Sequence, residues 1–247
     1  MLRTLIALFI TANFTAGIAA ENSAKPHHVI LITIDGAAAF YFDDPKAPLL
    51  NLRKLAAEGV VAKGMKVSNP SVTWPNHTTL ITGVSPAKHS VLYNGLMLPD
   101  KNGALQRDPE RSQTELVAVP TVYDFLHKKG FSTAGINWPC TKDAAALDYT
   151  FPDVQNQLRY TTPQLIQELT AAKILDDSSE AAFINKSGTK RDEIWAEAAG
   201  YVLQKHRPNF MLLHFLFADG TQHRFGPQTT EAYEALDSID QHIGKLF

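Results

Sequence analysis

A chain of 247 residues, 45% hydrophobic and 19% charged, is long enough to bury one substantial core with a small cap, and its composition is neither disordered nor fibrous. The formal charge is −2 and the basic residues are scattered rather than gathered in a stripe, so binding to a nucleic-acid duplex is not expected. The one cysteine, Cys140, excludes an intramolecular disulfide and leaves stability to the core and any bound metal.

Residues 1–20 read as a secretory signal, with Arg3 ahead of an apolar run that begins at Leu5–Ile10 and the small residues Gly17-Ile18-Ala19-Ala20 before Glu21. An uncleaved anchor is the competing reading, but Thr11, Asn13 and Thr15 interrupt a run already short for a membrane span. On the cleaved reading the mature chain is periplasmic or secreted, has no stable membrane span, and folds as one domain over 21–247.

Asn22–His28 is polar, contains Pro26 and suits a linker. Val29–Gly36, VILITIDG, has the pattern of a buried strand ending in Asp35, with Gly36 allowing a tight turn. Pro48–Glu58 places Leu49, Leu50, Leu52, Leu55 and Ala56 at helical spacing and is closed by Gly59; Val60–Ser68 reads as the next strand. This β–α–β–α opening points to an α/β fold, a mostly parallel sheet sandwiched by helices with right-handed crossovers.

Asn69–Asn94, NPSVTWPNHTTLITGVSPAKHSVLYN, is the stretch that looks built for chemistry. Pro75 suits the first turn of a helix running through His77 to Gly83, which puts Thr73 at or just before a helix N-terminus, where free N–H groups and the dipole favour an oxyanion. Thr73 equally reads as a plain N-cap, and Asn94, followed by Gly95, as a turn residue. Residues 95–119 read as a loop-like excursion over this region. A helix is expected over Pro120–Lys129 and a strand over Phe131–Asn137. Residues 138–162 either line a pocket or pack in the core through Trp138, Tyr149, Phe151 and Tyr160.

Pro163–Leu175 and Arg191–His206 read as helices joined by a polar connection, Asn209–Phe217 as a strand, and Glu231–Phe247 as an amphipathic helix. The run FMLLHFLFADG ends in Asp219, with His223 beyond it. Two apolar runs thus each deliver a carboxylate at the edge where open α/β sheets bind ligands, and carboxylates with an imidazole suit zinc-like metals. On the residues alone, Asp35 and Asp219 also read as turn formers and His223 as a loop histidine. His77, on the helix, is expected to make a structural hydrogen bond and His214 to be a satisfied core histidine; neither is counted as a ligand.

The chain resembles the alkaline phosphatase superfamily, and within it the type I phosphodiesterases and nucleotide pyrophosphatases. The resemblance rests on Asp35 in LITIDG, Thr73 in TWPNH, Asn94 about twenty residues on, and the Asp219 and His223 pair in DGTQH, in the family's order from residue 28 onward. It implies Thr73 as a catalytic nucleophile, Asn94 holding phosphoryl oxygens, and two zinc ions about 4 Å apart. It implies that Asp35 and Thr73 serve one ion and Asp219 and His223 the other. The implied substrate is a small phosphate ester or nucleotide, hydrolysed through a phospho-threonine. A phosphonate hydrolase is the close alternative. A sulfatase is set aside, because Cys140 is followed by Thr141 and Lys142 rather than the sulfatase pattern.

The family's later Asp-His-Gly segment does not occur in the 247 residues. The expectation is therefore the N-terminal part of a longer protein, weakly active or inactive by itself and with an exposed sheet edge, or a shortened non-catalytic remnant.

Overall fold

The computed structural model describes residues 27–108, 110–176 and 179–247. The signal read at 1–20 and most of the linker lie outside them. In chain order the elements are β1 (Val29–Ile34), α1 (Phe40–Asp43), α2 (Leu50–Glu58), α3 (Thr73–Thr82), α4 (Pro86–His89), β2 (Leu96–Pro99) and β3 (Leu105–Asp108). Then come α5 (Gln113–Leu116), α6 (Val122–Lys128), β4 (Thr133–Pro139), β5 (Tyr149–Asp153), α7 (Gln157–Tyr160), α8 (Pro163–Ala171) and α9 (Glu180–Ile184). α10 (Gly188–Lys205), β6 (Phe210–Phe215), α11 (Phe217–Phe225) and α12 (Thr230–Leu246) complete the order. The main sheet runs β1-β6-β4-β5 with every neighbouring pair parallel, while β2 and β3 make a separate antiparallel hairpin.

The centre of the sheet follows from side-chain alternation. Along β6, Met211, Leu213 and Phe215 enter a core shared with Ile194 and Trp195 of α10 and Leu236 and Ile239 of α12. Phe210 and Leu212 point the other way, toward Ile81 of α3 and Tyr123 of α6. Both faces of β6 are covered, as a central parallel strand requires, and each such leucine contributes roughly 1.5–3 kcal/mol by leaving water. The start of α2 has no cap of its own. Asp240 of α12 supplies one, its two carboxylate oxygens accepting from the Asn51 and Leu52 amides at 2.8 Å each.

Two expectations change, and one open alternative is decided. Residues 60–68 form no strand: a strand persists only through ladder bonds, none is made there, and Val60, Val61, Met65 and Val67 stand exposed. β1 consequently lies at an edge among the described residues, half-buried despite a sequence apolar on both faces. The excursion 95–119 is partly ordered, as the β2–β3 hairpin and the single turn α5. Within 138–162 the packing reading holds for Trp138 and Phe151, which are fully buried, while Tyr149 and Tyr160 are half-buried; residues 149–153 form a strand of the main sheet.

Candidate functional site

Thr73 is the first residue of α3, with Val72 rather than Thr73 in the capping position. Its hydroxyl is therefore not consumed by its own helix. Thr73 Oγ1 donates to Asp35 Oδ2 at 2.8 Å. Asp35 follows β1 directly, and its amide donates to Phe215 O at 3.0 Å, which fixes the end of β1 to the end of β6.

From that end of β6 the chain turns at once into α11. The strand stops at Phe215, so Asp219 and His223 belong to a helix rather than to a strand end and a loop. Spaced four apart they share one helix face, with His223 Nε2 3.4 Å from Asp219 Oδ1. The Asp192 carboxylate of α10 seats this helix by accepting from the Leu216 and Phe217 amides at 3.2 Å each. Gln222 ties α11 to the turn after β1, donating to Gly36 O at 2.9 Å and accepting from Tyr41. Gly36 has φ +79°, and a β-carbon there would stand 2.7 Å from Gln222 Nε2 and 3.1 Å from the Asp219 backbone, so the approach of α11 requires glycine.

Asn94 meets α3 through its side chain. Its Oδ1 accepts from the Trp74 amide at 2.8 Å; because an amide N–H can only donate, this orients Oδ1 inward and leaves Nδ2 available to a pocket ligand. Asp35, Thr73, Asn94, Asp219 and His223 all line one open pocket of about 460 Å³. The five residues singled out in the sequence are thus brought together.

Burial acts against ionisation of Asp35, but the neighbouring His214 and the Thr73 hydrogen bond outweigh it and hold the carboxyl at about 2. Burial, followed by repulsion from Asp35, moves Asp219 the opposite way, upward. His77 Nδ1 donates to the Thr73 carbonyl at 2.8 Å, so its Nε2 accepts from Thr33 Oγ1, also at 2.8 Å. Burial and the neighbouring His214 push His77 down to about 3, so it is a neutral strut beneath Thr73.

Sequence reasoning assigned no part to Asn76, Asp192 or Gln222. Asn76 pins the approach to Thr73, its Oδ1 accepting from the Ser68 amide and its Nδ2 donating to Pro70 O and Val72 O. Its place in TWPNH was the available signal. Asp192 and Gln222 sit in ordinary helical sequence with nothing local to mark them. His214 also differs from expectation: it is fully buried, yet its Nε2 makes no hydrogen bond.

Carboxylates, an imidazole and a hydroxyl facing one pocket are the donor types zinc prefers. Among the described residues, however, no group of three or more His, Cys, Asp or Glu gathers closely enough to hold a metal ion. The donor chemistry fits, and the donor number completes neither site.

A family model described as "Type I phosphodiesterase / nucleotide pyrophosphatase" matches residues 29–247. Ectonucleotide pyrophosphatase/phosphodiesterase family member 3 of Rattus norvegicus is 24% identical over 220 residues, covering 88% of this chain and 22% of its own length. Venom phosphodiesterase 2 of Crotalus adamanteus is 23% identical, covering 88% of this chain and 24% of its own. The fold is similar to murine ectonucleotide pyrophosphatase / phosphodiesterase 5, of which an inactive variant was solved in complex with AMP, with TM-score 0.63 and 18% identity over 89% of this chain and 51% of that one. It is also similar to phosphonoacetate hydrolase from Sinorhizobium meliloti 1021, with TM-score 0.62 and 19% identity over 90% and 53%. The chain therefore spans about a fifth to a quarter of the length of the curated relatives and about half of these solved structures.

Proposed function

Because the chain belongs to the type I phosphodiesterase/nucleotide pyrophosphatase family over residues 29–247, we propose that it supplies the nucleophile-bearing part of a hydrolase of phosphate esters. The observation that carries this reading is the 2.8 Å contact between Thr73 Oγ1 and Asp35 Oδ2 in a pocket also lined by Asn94, Asp219 and His223.

Asp35 holds the Thr73 hydroxyl by accepting its hydrogen, orienting the oxygen toward the pocket. Attack by that oxygen on phosphorus forms the Oγ1–P bond as the bond to the leaving oxygen breaks, and the hydroxyl proton passes by way of solvent to the departing oxygen. Water then displaces Thr73 from the phospho-threonine and regenerates the hydroxyl. Asn94 Nδ2 donates to a non-bridging oxygen as negative charge develops, and the N-terminus of α3 adds its dipole. Asp35 with Thr73, and Asp219 with His223, are the groups that would hold two zinc ions, whose chemistry is to lower the hydroxyl pKa and offset phosphate charge.

The physiological substrate is then a small phosphate ester or nucleotide. Export of the protein fits relatives that include venom and ecto-enzymes, and no helix among the described residues is long and apolar enough to cross a membrane. Likeness in fold to a phosphonoacetate hydrolase keeps phosphonate cleavage as the second reading. Both are tested by supplying zinc and following bis-p-nitrophenyl phosphate and phosphonoacetate in parallel. Release of p-nitrophenol lost in Thr73→Ala supports the first; release of phosphate from phosphonoacetate alone supports the second; release from the diester that survives Thr73→Ala would remove Thr73 from the mechanism.

A further inference from the structure

Tyr41 of α1 is completely buried, its ring edge-on to Tyr233 of α12, and its hydroxyl meets two residues that lie 181 and 187 positions further along the chain. The role of each polar atom in this cluster follows from what it is able to do. Gly36 O and Ala218 O only accept, so the side-chain nitrogen of Gln222 faces them, at 2.9 and 3.1 Å, and its oxygen is left for Tyr41. The Gln228 amide only donates, so the Tyr41 oxygen accepts from it at 3.0 Å and sends its own hydrogen to Gln222 Oε1 at 2.9 Å. Both ends of the Gln222 amide and both capacities of the tyrosine hydroxyl are engaged, and neither side chain turns without breaking a bond.

What the cluster holds is the spacing between two halves of the pocket. Gly36 follows Asp35 directly, and Gln222 lies three residues after Asp219 and one before His223, so the bond from Gln222 to Gly36 O fixes α11 against the end of β1 within one helical turn of both. The Asp35 and Asp219 carboxylates face the same pocket, and like charges there push α11 away from β1. The Gln222 bond to Gly36 opposes that separation. Past the end of the helix, Gly226 at φ +88° and Gln228 at φ +59° turn the chain back until the Gln228 amide reaches Tyr41. One hydroxyl thus holds α11 within its span and beyond its C-terminus.

We propose that Tyr41 and Gln222 are positioning residues for Asp219 and His223: Tyr41 orients the Gln222 side chain, and Gln222 holds α11 so that its carboxylate and imidazole keep their place opposite Asp35. Neither residue lines the pocket, so both act through the helix. Loss of the outer support of metal-binding side chains typically weakens metal binding about 10–100-fold. This inference rests on the reading of Asp219 and His223 as ligands, so a measurement on the metal-free protein accompanies the one with metal.

Zinc affinity is measured by chelator competition on the full chain, with folding checked by circular dichroism, for Tyr41→Phe, Gln222→Met, the double variant and Asp219→Asn. Tyr41→Phe and Gln222→Met are each expected to bind zinc about tenfold or more weakly, and the double variant no more weakly than Gln222→Met, because Tyr41 acts through Gln222. In proton–nitrogen-15 spectra of the metal-free proteins, the Asp219 and His223 amide signals are expected to move in both single variants. Zinc binding that is unchanged in both single variants but weakened in Asp219→Asn overturns the proposal. Losses that multiply in the double variant overturn the route from Tyr41 through Gln222. Zinc binding that the wild-type chain lacks, or that Asp219→Asn leaves unchanged, removes the ligand reading instead. The metal-free spectra then decide alone whether the cluster places the pair: Asp219 and His223 signals that stay where they are in the wild type overturn it. Should Gln222→Met fail to fold, Tyr41→Phe, which removes a single oxygen, carries both measurements.

Discussion

Acidification from pH 7 to 4.5 sets two buried groups against each other, and substituting His77 exposes the contest. In the native state His77 stays neutral down to about 3, because burial and the adjacent His214 disfavour its charged form. The unfolded chain takes up that proton below the ordinary 6.5. The unfolded state therefore binds more protons through this window, and native stability falls as pH falls. Over the two units from 6.5 to 4.5 the loss is on the order of 3 kcal/mol, at about 1.4 kcal/mol per unit. Asp192 has the opposite sign: burial raises its carboxyl to about 6, above the ordinary 3.8, so protonation between those values stabilises the native state. From 6 to 4.5 that gain is about 2 kcal/mol. Asp35, held at about 2, changes below this range.

His77→Asn keeps a donor for the Thr73 carbonyl but does not titrate, so it is spared the His77 loss on the same acidification. Urea unfolding of both proteins at both pH values, with a chelator present, gives a difference of differences on the order of 3 kcal/mol. A difference within about 0.5 kcal/mol of zero would refute the neutral buried state assigned to His77.

Other substitutions test separate contacts. Asn94→Asp keeps an acceptor for the Trp74 amide but puts negative charge where a phosphoryl oxygen binds; it should unfold like the wild type in urea while phosphate-ester turnover drops about 10²–10³-fold. Gly36→Ala, strained at φ +79° and meeting Gln222 and the Asp219 backbone, should lose about 1–3 kcal/mol in urea unfolding and weaken zinc binding through displacement of α11. Trp74→Phe removes the 3.1 Å indole bond to the half-buried Asp153 carboxylate, and a loss of about 1.5–3 kcal/mol is expected by thermal or urea denaturation.

The sheet was legible where apolar runs had turn signals at both ends, as at β1 and β6, and the long helices α10 and α12 where helical periodicity persisted. Val60–Ser68 misled because β propensity is realised only against a partner strand. The five candidate residues were legible because they lie in short motifs: Asp35 directly follows β1, Thr73 opens α3, Asn94 precedes a glycine, and Asp219 and His223 are spaced four apart on α11. Their supports were not. Asp192, Gln222 and Asp240 act on segments far away in sequence through backbone hydrogen bonds, and no local pattern marks such a contact. His214 sat in a strand whose alternation predicts burial, which is correct, but which nitrogen lacks a partner depends on the bulge at Asn137 in another strand.

Single-turnover mass spectrometry reaches the central assignment even if multiple turnover is slow. The protein is mixed with zinc and bis-p-nitrophenyl phosphate, quenched in acid and digested. A phosphoester on the peptide carrying Thr73, absent from Thr73→Ala and strongly reduced in Asp35→Asn, is the predicted result. An unmodified Thr73 peptide, or an ester on any other residue, would contradict it.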